Sequence, residues 1–287
     1  MNSLSEANTH FALDLFQQFK KSKKDNIFYS PLSITSALAM TYSGAQGNTA
    51  LQIGQVDVSF LYICLIRLIS LLASVQMFTD LALSIANRLY GEKTLADPHG
   101  KHVTTKPVQM MKQTNSFNFT ELKDMQAKIL EIPYKHKDLS MMLLLPNEVD
   151  GLKKLEDKLT AEKLIEWTSS QNMRERFVDL YLPRFKVEES YDLKDTMMSL
   201  GMLDAFSPQD ADFSGMTGSR SLVVSKILHK SFVEVNEEGT EAAAATGIEF
   251  GLLSPRAYSF HCDHPFLFFI KHNKTNSILF LGRVSSP

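Results

Sequence analysis

The chain has 287 residues, 44% of them hydrophobic and 22% charged, with a formal net charge of −2. This is the make-up of an ordinary globular protein with one sizeable core, so a single domain spanning 1–287 is expected. No basic stripe offers a footprint for nucleic acid, and the KKSKK run at Lys20–Lys24 is short and sits where a helix C-terminus favours cations.

In chain order, Met1 leads into an amphipathic helix with Leu4, Phe11, Leu15 and Phe19 on one face, not into a signal-peptide pattern. The two cysteines, Cys64 and Cys262, make no disulfide framework, which points to synthesis in a reducing cytosol. There the sequons at Asn118 and Asn273 go unused. Ser30 is placed to cap a helix that has Pro31 at its first position and stops at Gly44. The apolar stretch Val56–Phe78 is almost long enough to span a membrane, but Arg67 near its centre costs about 2.5–3.5 kcal/mol there. A buried helix is the better expectation, and no membrane partner follows.

Residues 125–146 read as a hairpin, MQAKILEIPY and LSMMLLLP around the polar turn Lys135–Asp138, apolar enough to be buried on both faces. Asp150–Trp167 reads as a helix, Phe177–Val187 as a strand with Val178, Leu180 and Leu182 on one side, and Leu193, Met197 and Leu200 as a helix stopped at Gly201. Ile227, His229, Ser231, Val233 and Val235 recur at period two, the pattern of a half-buried strand. Helices and strands follow in no βαβ order, which predicts an α+β domain.

After that strand the composition changes. Gly239 opens a run of Thr240, Glu241, Ala242, Ala243, Ala244, Ala245 and Thr246, side chains small enough to slip between existing strands. An alanine-rich helix or a plain surface loop would read the same way. Leu252, Leu253, Ser254 and Pro255 follow, an apolar pair before a small residue, which is how a protease substrate looks.

The inventory argues against an enzyme. There is no G-x-S-x-G elbow, H-E-x-x-H, paired C-x-x-C or Gly-rich phosphate loop, although a scattered triad leaves no local signature. His261, Cys262, Asp263 and His264 imitate a metal site, but neighbours on an extended chain point to opposite faces, so no metal and no cofactor is expected. His229 on its apolar face reads as a buried, hydrogen-bonded histidine.

The strand, the segment EEGTEAAAAT, the segment FHCDHPFLFFI at Phe260–Ile270 and the terminal ILFLGRVSSP, in that order and spacing, resemble the serpin family. NIFYSPLSITSALAMTYSGAQGNTALQI and SIANRLYGEKT agree with it, and the nearest likeness is to ovalbumin-type (clade B) intracellular serpins, the group holding the squamous cell carcinoma antigens. The resemblance implies a serpin fold, three β-sheets with surrounding helices and an exposed reactive loop at about 237–259. It implies an endopeptidase inhibitor acting as a suicide substrate: a chymotrypsin-like serine or papain-like cysteine protease attacks the bond Leu253–Ser254, and the hinge Glu238, Gly239, Thr240, Glu241, Ala242, Ala243, Ala244, Ala245, Thr246 inserts into the main sheet as a new strand. Ser30, Ser33 and His229 match the shutter beneath that sheet. The cytoplasm is the implied location, with release that needs no signal peptide also known for the group.

Two stretches depart from the pattern. Between Thr94 and Val108 a block carrying a long helix and the third strand of the main sheet is missing, so the fold is expected to be incomplete, with a buried shutter group left unpaired. Val56–Phe78 does not match the family either, as altered splicing would produce. An incomplete slot implies a second reading, a non-inhibitory binding protein whose loop is cut as an ordinary substrate.

Overall fold

The computed structural model describes residues 3–56, 88–90, 107–236 and 257–286. Helix α1 (Ser3–Ser22) follows the predicted stripe, burying Phe11, Leu15 and Phe19, and holds Lys20 and Lys21 in its last turn. Strand β1 (Ile27–Tyr29) ends at Ser30, whose hydroxyl accepts from the N–H of Ser33 and so opens α2 (Pro31–Tyr42). Pro31 sits in the first turn, where a missing N–H loses nothing. Helix α3 (47–56) reaches the limit of the described residues, beyond which lie Cys64 and nearly all of Val56–Phe78.

The predicted hairpin is formed by β4 (Ala127–Pro133) and β5 (Leu139–Pro146), and every residue of β5 is buried. Before it come β2 (Arg88–Tyr90) and the long β3 (Gln109–Leu122). Two expectations need correction. The helix read at Asp150–Trp167 is two, α4 (Leu152–Lys158) and α5 (Ala161–Trp167), because Leu159 and Thr160 are extended and the Thr160 hydroxyl caps the second. The strand read at Phe177–Val187 is also two, β6 (Arg174–Pro183) and β7 (Phe185–Asp192). The chain changes sheet at Arg184, where the buried face slips by one residue, from Val178, Leu180 and Leu182 to Phe185, Val187 and Tyr191, a phase change beside Pro183 that the reading of one continuous strand passed over.

After α6 (Lys194–Ser199), Gly201 at φ +103 stops the helix as predicted, and α7 (Ser214–Thr217) follows. The chain closes with β8 (Leu228–Val235), β9 (Tyr258–His261), β10 (Phe266–His272) and β11 (Ser277–Val284). Strands β1-β11-β10-β5-β4-β3-β6-β9 make one nine-stranded sheet, with β2 paired to β3, while β7 and β8 form a separate ribbon. Strand β3 fuses two regions of that sheet, pairing β6 over Met110–Phe119 and β4 over Asn118–Leu122. The expected three sheets are therefore seen as two networks among the described residues.

Alternation along the central strands sends side chains to two cores. On one face Met142, Leu144, Leu267 and Phe269 pack with Phe16 of α1, Leu38 of α2 and Trp167 of α5. On the other, Met141, Leu143, Phe266, Phe268 and Ile270 pack with Phe185 and Val187 of β7 and Val233 and Val235 of β8. A sheet covered on both faces reads as continuous apolar sequence, which is why β5 and β10 do not alternate in hydrophobicity. None of the described helices is long and apolar enough to cross a membrane.

Candidate functional site

Strand β8 leads into the segment that carries the hinge, and its two faces differ. Leu228, Lys230, Phe232 and Glu234 are outward, whereas His229, Ser231, Val233 and Val235 are buried. The two valines join the core and leave His229 and Ser231 to meet the end of β1. There the Ser30 N–H donates to His229 Nε2 at 3.0 Å, the Ser231 hydroxyl donates to the Phe28 carbonyl at 2.6 Å, and the Phe28 N–H donates to the Tyr191 hydroxyl at 3.2 Å. Among the described residues β1 pairs only with β11, so these three side chains satisfy main-chain groups on an open sheet edge. They tie the β7–β8 ribbon to the start of α2.

Accepting from Ser30 requires a neutral His229, and burial lowers the imidazole's pKa below its ordinary value. In the unfolded chain the ring titrates near ~6.5, so below that pH the unfolded state binds a proton that the folded state resists. Stability contributed through this ring is thus complete above the unfolded pKa and declines as pH falls towards the depressed folded one. Urea midpoints at pH 7.5 and 5.5 should fall more for the natural chain than for His229→Gln, which keeps an acceptor but does not titrate. Equal falls would remove His229 from the acid response.

Ser30 and His229 are brought together, but Ser33 is exposed and takes part through its main-chain N–H, which donates to Ser30 Oγ at 3.1 Å. On α2 the buried hydroxyl without a hydrogen-bond partner among the described residues is that of Thr35, 1% exposed, one turn beyond the cap. Sequence reading missed Tyr191 and Ser231. Ser231 stood on the same period-two face as His229, whereas Tyr191 becomes visible only once β7 and β8 are paired, opposite His229.

The hinge residues Glu238, Gly239, Thr240, Glu241, Ala242, Ala243, Ala244, Ala245 and Thr246 and the bond Leu253–Ser254 lie outside the described residues. Their anchors lie inside. The segment leaves from β8 in the ribbon and returns at β9, the far edge strand of the large sheet, parallel to β6. Among the described residues β8 pairs with β7 alone.

Past β9 the four would-be ligands separate. The His261 ring lies 4.0 Å from that of Tyr181, Cys262 is buried, and His264 reaches Asp263 Oδ1 at 2.8 Å through Nδ1 and the Pro146 carbonyl at 2.7 Å through Nε2. Burial first, then the nearby Asp263 charge, raises the Cys262 thiol's pKa, so it is no ready thiolate. Among the described residues no three metal-capable side chains converge.

Compared with known proteins, residues 6–99 and 96–287 match the family described as Serpin (serine protease inhibitor). The chain belongs to the serpin family. Human Serpin B3 is 47% identical over 399 aligned residues, covering 100% of both chains, and horse leukocyte elastase inhibitor is 40% identical over 384, again covering both fully. The crystal structure of uncleaved ovalbumin superposes on this serpin with a TM-score of 0.81 at 29% identity, covering 99% of this chain and 100% of ovalbumin. An alignment of 399 positions against a chain of 287 means that the serpin lacks a block its relatives carry. The two matched spans meet at 96–99, within the stretch between Thr94 and Val108 where the sequence departs from the family.

Proposed function

We propose that this chain, as one serpin domain over 1–287, binds an endopeptidase through its loop at about 237–259 and acts on it as a suicide substrate. Membership of a family of serine protease inhibitors carries this reading, since the second matched span includes the hinge. The names of its relatives, leukocyte elastase inhibitor among them, support the class. Leu253 and Ser254 would be the bait. A large apolar residue before the bond suits chymotrypsin-like serine proteases, and Leu252 one step earlier suits papain-like cysteine proteases. No cofactor and no catalytic residue of its own are needed, and the cytoplasm is the proposed setting, with release that needs no signal peptide.

A specific observation favours a second reading. With β8 paired only to β7 among the described residues, an inserted hinge would find one neighbouring strand and not two. The loop would then be cut without trapping, leaving a binding protein.

Mixing the purified chain with chymotrypsin-like and cathepsin-type enzymes separates the two on a denaturing gel. Inhibition predicts a covalent complex, and the peptide released from it begins at Ser254 by mass spectrometry. Thr240→Arg should keep cleavage and abolish the complex, because its charge must enter the sheet. Cleavage with no complex under any enzyme would leave the binding reading standing, and a peptide starting elsewhere would reassign the bait.

A further inference from the structure

Among the described residues strand β8 is paired along one edge only, and its outward face is part apolar and part charged. Leu228 is 75% exposed and Phe232 48%, two large apolar side chains on the outward face of a strand whose other face is in the core. Between and beside them stand Lys230 and Glu234. On the partner strand β7, Glu188 forms an ion pair with Lys230 at 2.5 Å, and the Lys186 ammonium lies 4.9 Å from the Phe232 ring centroid.

We infer that two copies of this chain pair antiparallel through β8, with the two-fold axis at Phe232. This register sets Phe232 against Phe232 of the second copy and places Lys230 of each chain opposite Glu234 of the other. Ser231 then faces Val233 and His229 faces Val235 on the inner side, so outward residues meet outward and inward meet inward. Sliding the pairing so that inner and outer residues alternate would expose Val233 and Val235, which the sheet's period of two forbids.

The remaining registers that keep the faces matched are worse. Centring on Ser231 puts Lys230 against Phe232 and Leu228 against Glu234, centring on Val233 puts Phe232 against Glu234, and centring on Lys230 or Glu234 opposes like charges. Only the Phe232 register gives two opposite-charge pairs around an aromatic pair, the cross-strand contacts that stabilise sheets. The result is one ribbon, β7–β8 continued by β8–β7, across which Lys186, Glu234 and then Lys230 of the second copy alternate in sign. The contact is isologous and closed, so it stops at a dimer.

Sedimentation equilibrium of the full chain at about 1–100 µM tests this, the range in which a modest strand contact populates a dimer. The natural chain should dimerise. Lys230→Glu and Glu234→Lys should each raise the dimer dissociation constant about tenfold or more, since each creates two like-charge pairs across the axis. An equimolar mixture of the two variants should recover a dimer of natural strength, because both pairs between the unlike chains again join a carboxylate to an ammonium. A monomeric natural chain, single variants that dimerise unimpaired, or a mixture that fails to recover would overturn the inference. Species larger than a dimer would overturn it too, pointing to a loop from one copy entering the next.

Discussion

Replacing Arg283 by Met is expected to remove about 3–5 kcal/mol of stability, the largest single effect among the described charged residues. Arg283 is 5% exposed on β11 and its guanidinium donates four hydrogen bonds. Nη1 donates to Glu156 Oε1 of α4 at 3.1 Å, Nε to the Asp25 carbonyl at 2.9 Å, and Nη2 to the carbonyls of Lys23 at 2.8 Å and Asp25 at 2.5 Å. One planar fork thereby joins the end of α1, the approach to β1, α4 and the last strand. Without it Glu156, 6% exposed, keeps a buried carboxylate without its guanidinium, the Lys23 carbonyl loses this donor, and the Asp25 carbonyl is left with the Ser285 hydroxyl at 3.5 Å. Urea unfolding should show the loss, with Arg283→Met plus Glu156→Leu recovering most of it, since no lone charge then remains buried. A single variant less than about 1 kcal/mol weaker would mean that water replaces the guanidinium. Arg283→Lys should rescue poorly, because an ammonium cannot reproduce the fork.

That junction illustrates what the sequence did not disclose. Glu156 and Arg283 are far apart in sequence and neither sits in a motif; their pairing exists only once the fold has brought the two side chains within reach. Local signals were legible wherever the chain decides its own shape. Ser30 with Pro31 fixed the start of α2, Gly201 ended α6, and the apolar runs gave β4 and β5. Legibility failed where an element breaks inside a stretch that stays apolar, at Thr160 between two helices and at Arg184 between two sheets. Buried Leu159 and Ala161 flank Thr160, and at Arg184 the only mark is a one-residue slip of the buried face, from Leu180 and Leu182 to Phe185 and Val187, which a reading of one continuous strand passes over.

The site divides in the same way. The period-two reading of His229, Ser231, Val233 and Val235 matched the buried face of β8, and the family likeness pointed to Ser30 beside His229. It did not show that Ser33 is exposed, nor that Tyr191 and Ser231 hold Phe28. Those contacts depend on which strand lies next to which, and no local pattern records that. Hinge and bait are legible only as composition, small residues and then an apolar pair, and the described residues show their anchors alone.

On the second reading, a loop cut without trapping, cutting the chain after Leu253 should raise its melting temperature by less than about 5 °C. Ordering an inserted segment costs roughly 1–2 kcal/mol of backbone entropy per residue, while each hydrogen bond returns a net of about 0.5–1.5 kcal/mol. A segment entering between two strands makes main-chain bonds on both sides for one ordering cost, and the balance is favourable. Against β8 alone it bonds on one side, and gain and cost nearly cancel. Thermal unfolding before and after limited proteolysis by a chymotrypsin-like enzyme measures the difference. Protein concentration must be held fixed, because a dimer through β8 would itself shift the midpoint. If β8 is already paired to a second copy, insertion must displace that copy, which lowers the gain further at high concentration. A rise of about 15 °C or more would show that another part of the chain supplies the second wall. It would come from 57–87 or 91–106, since Gln109 and Met110 are already paired within the large sheet. Trapping of a protease would then have its driving force despite the missing block.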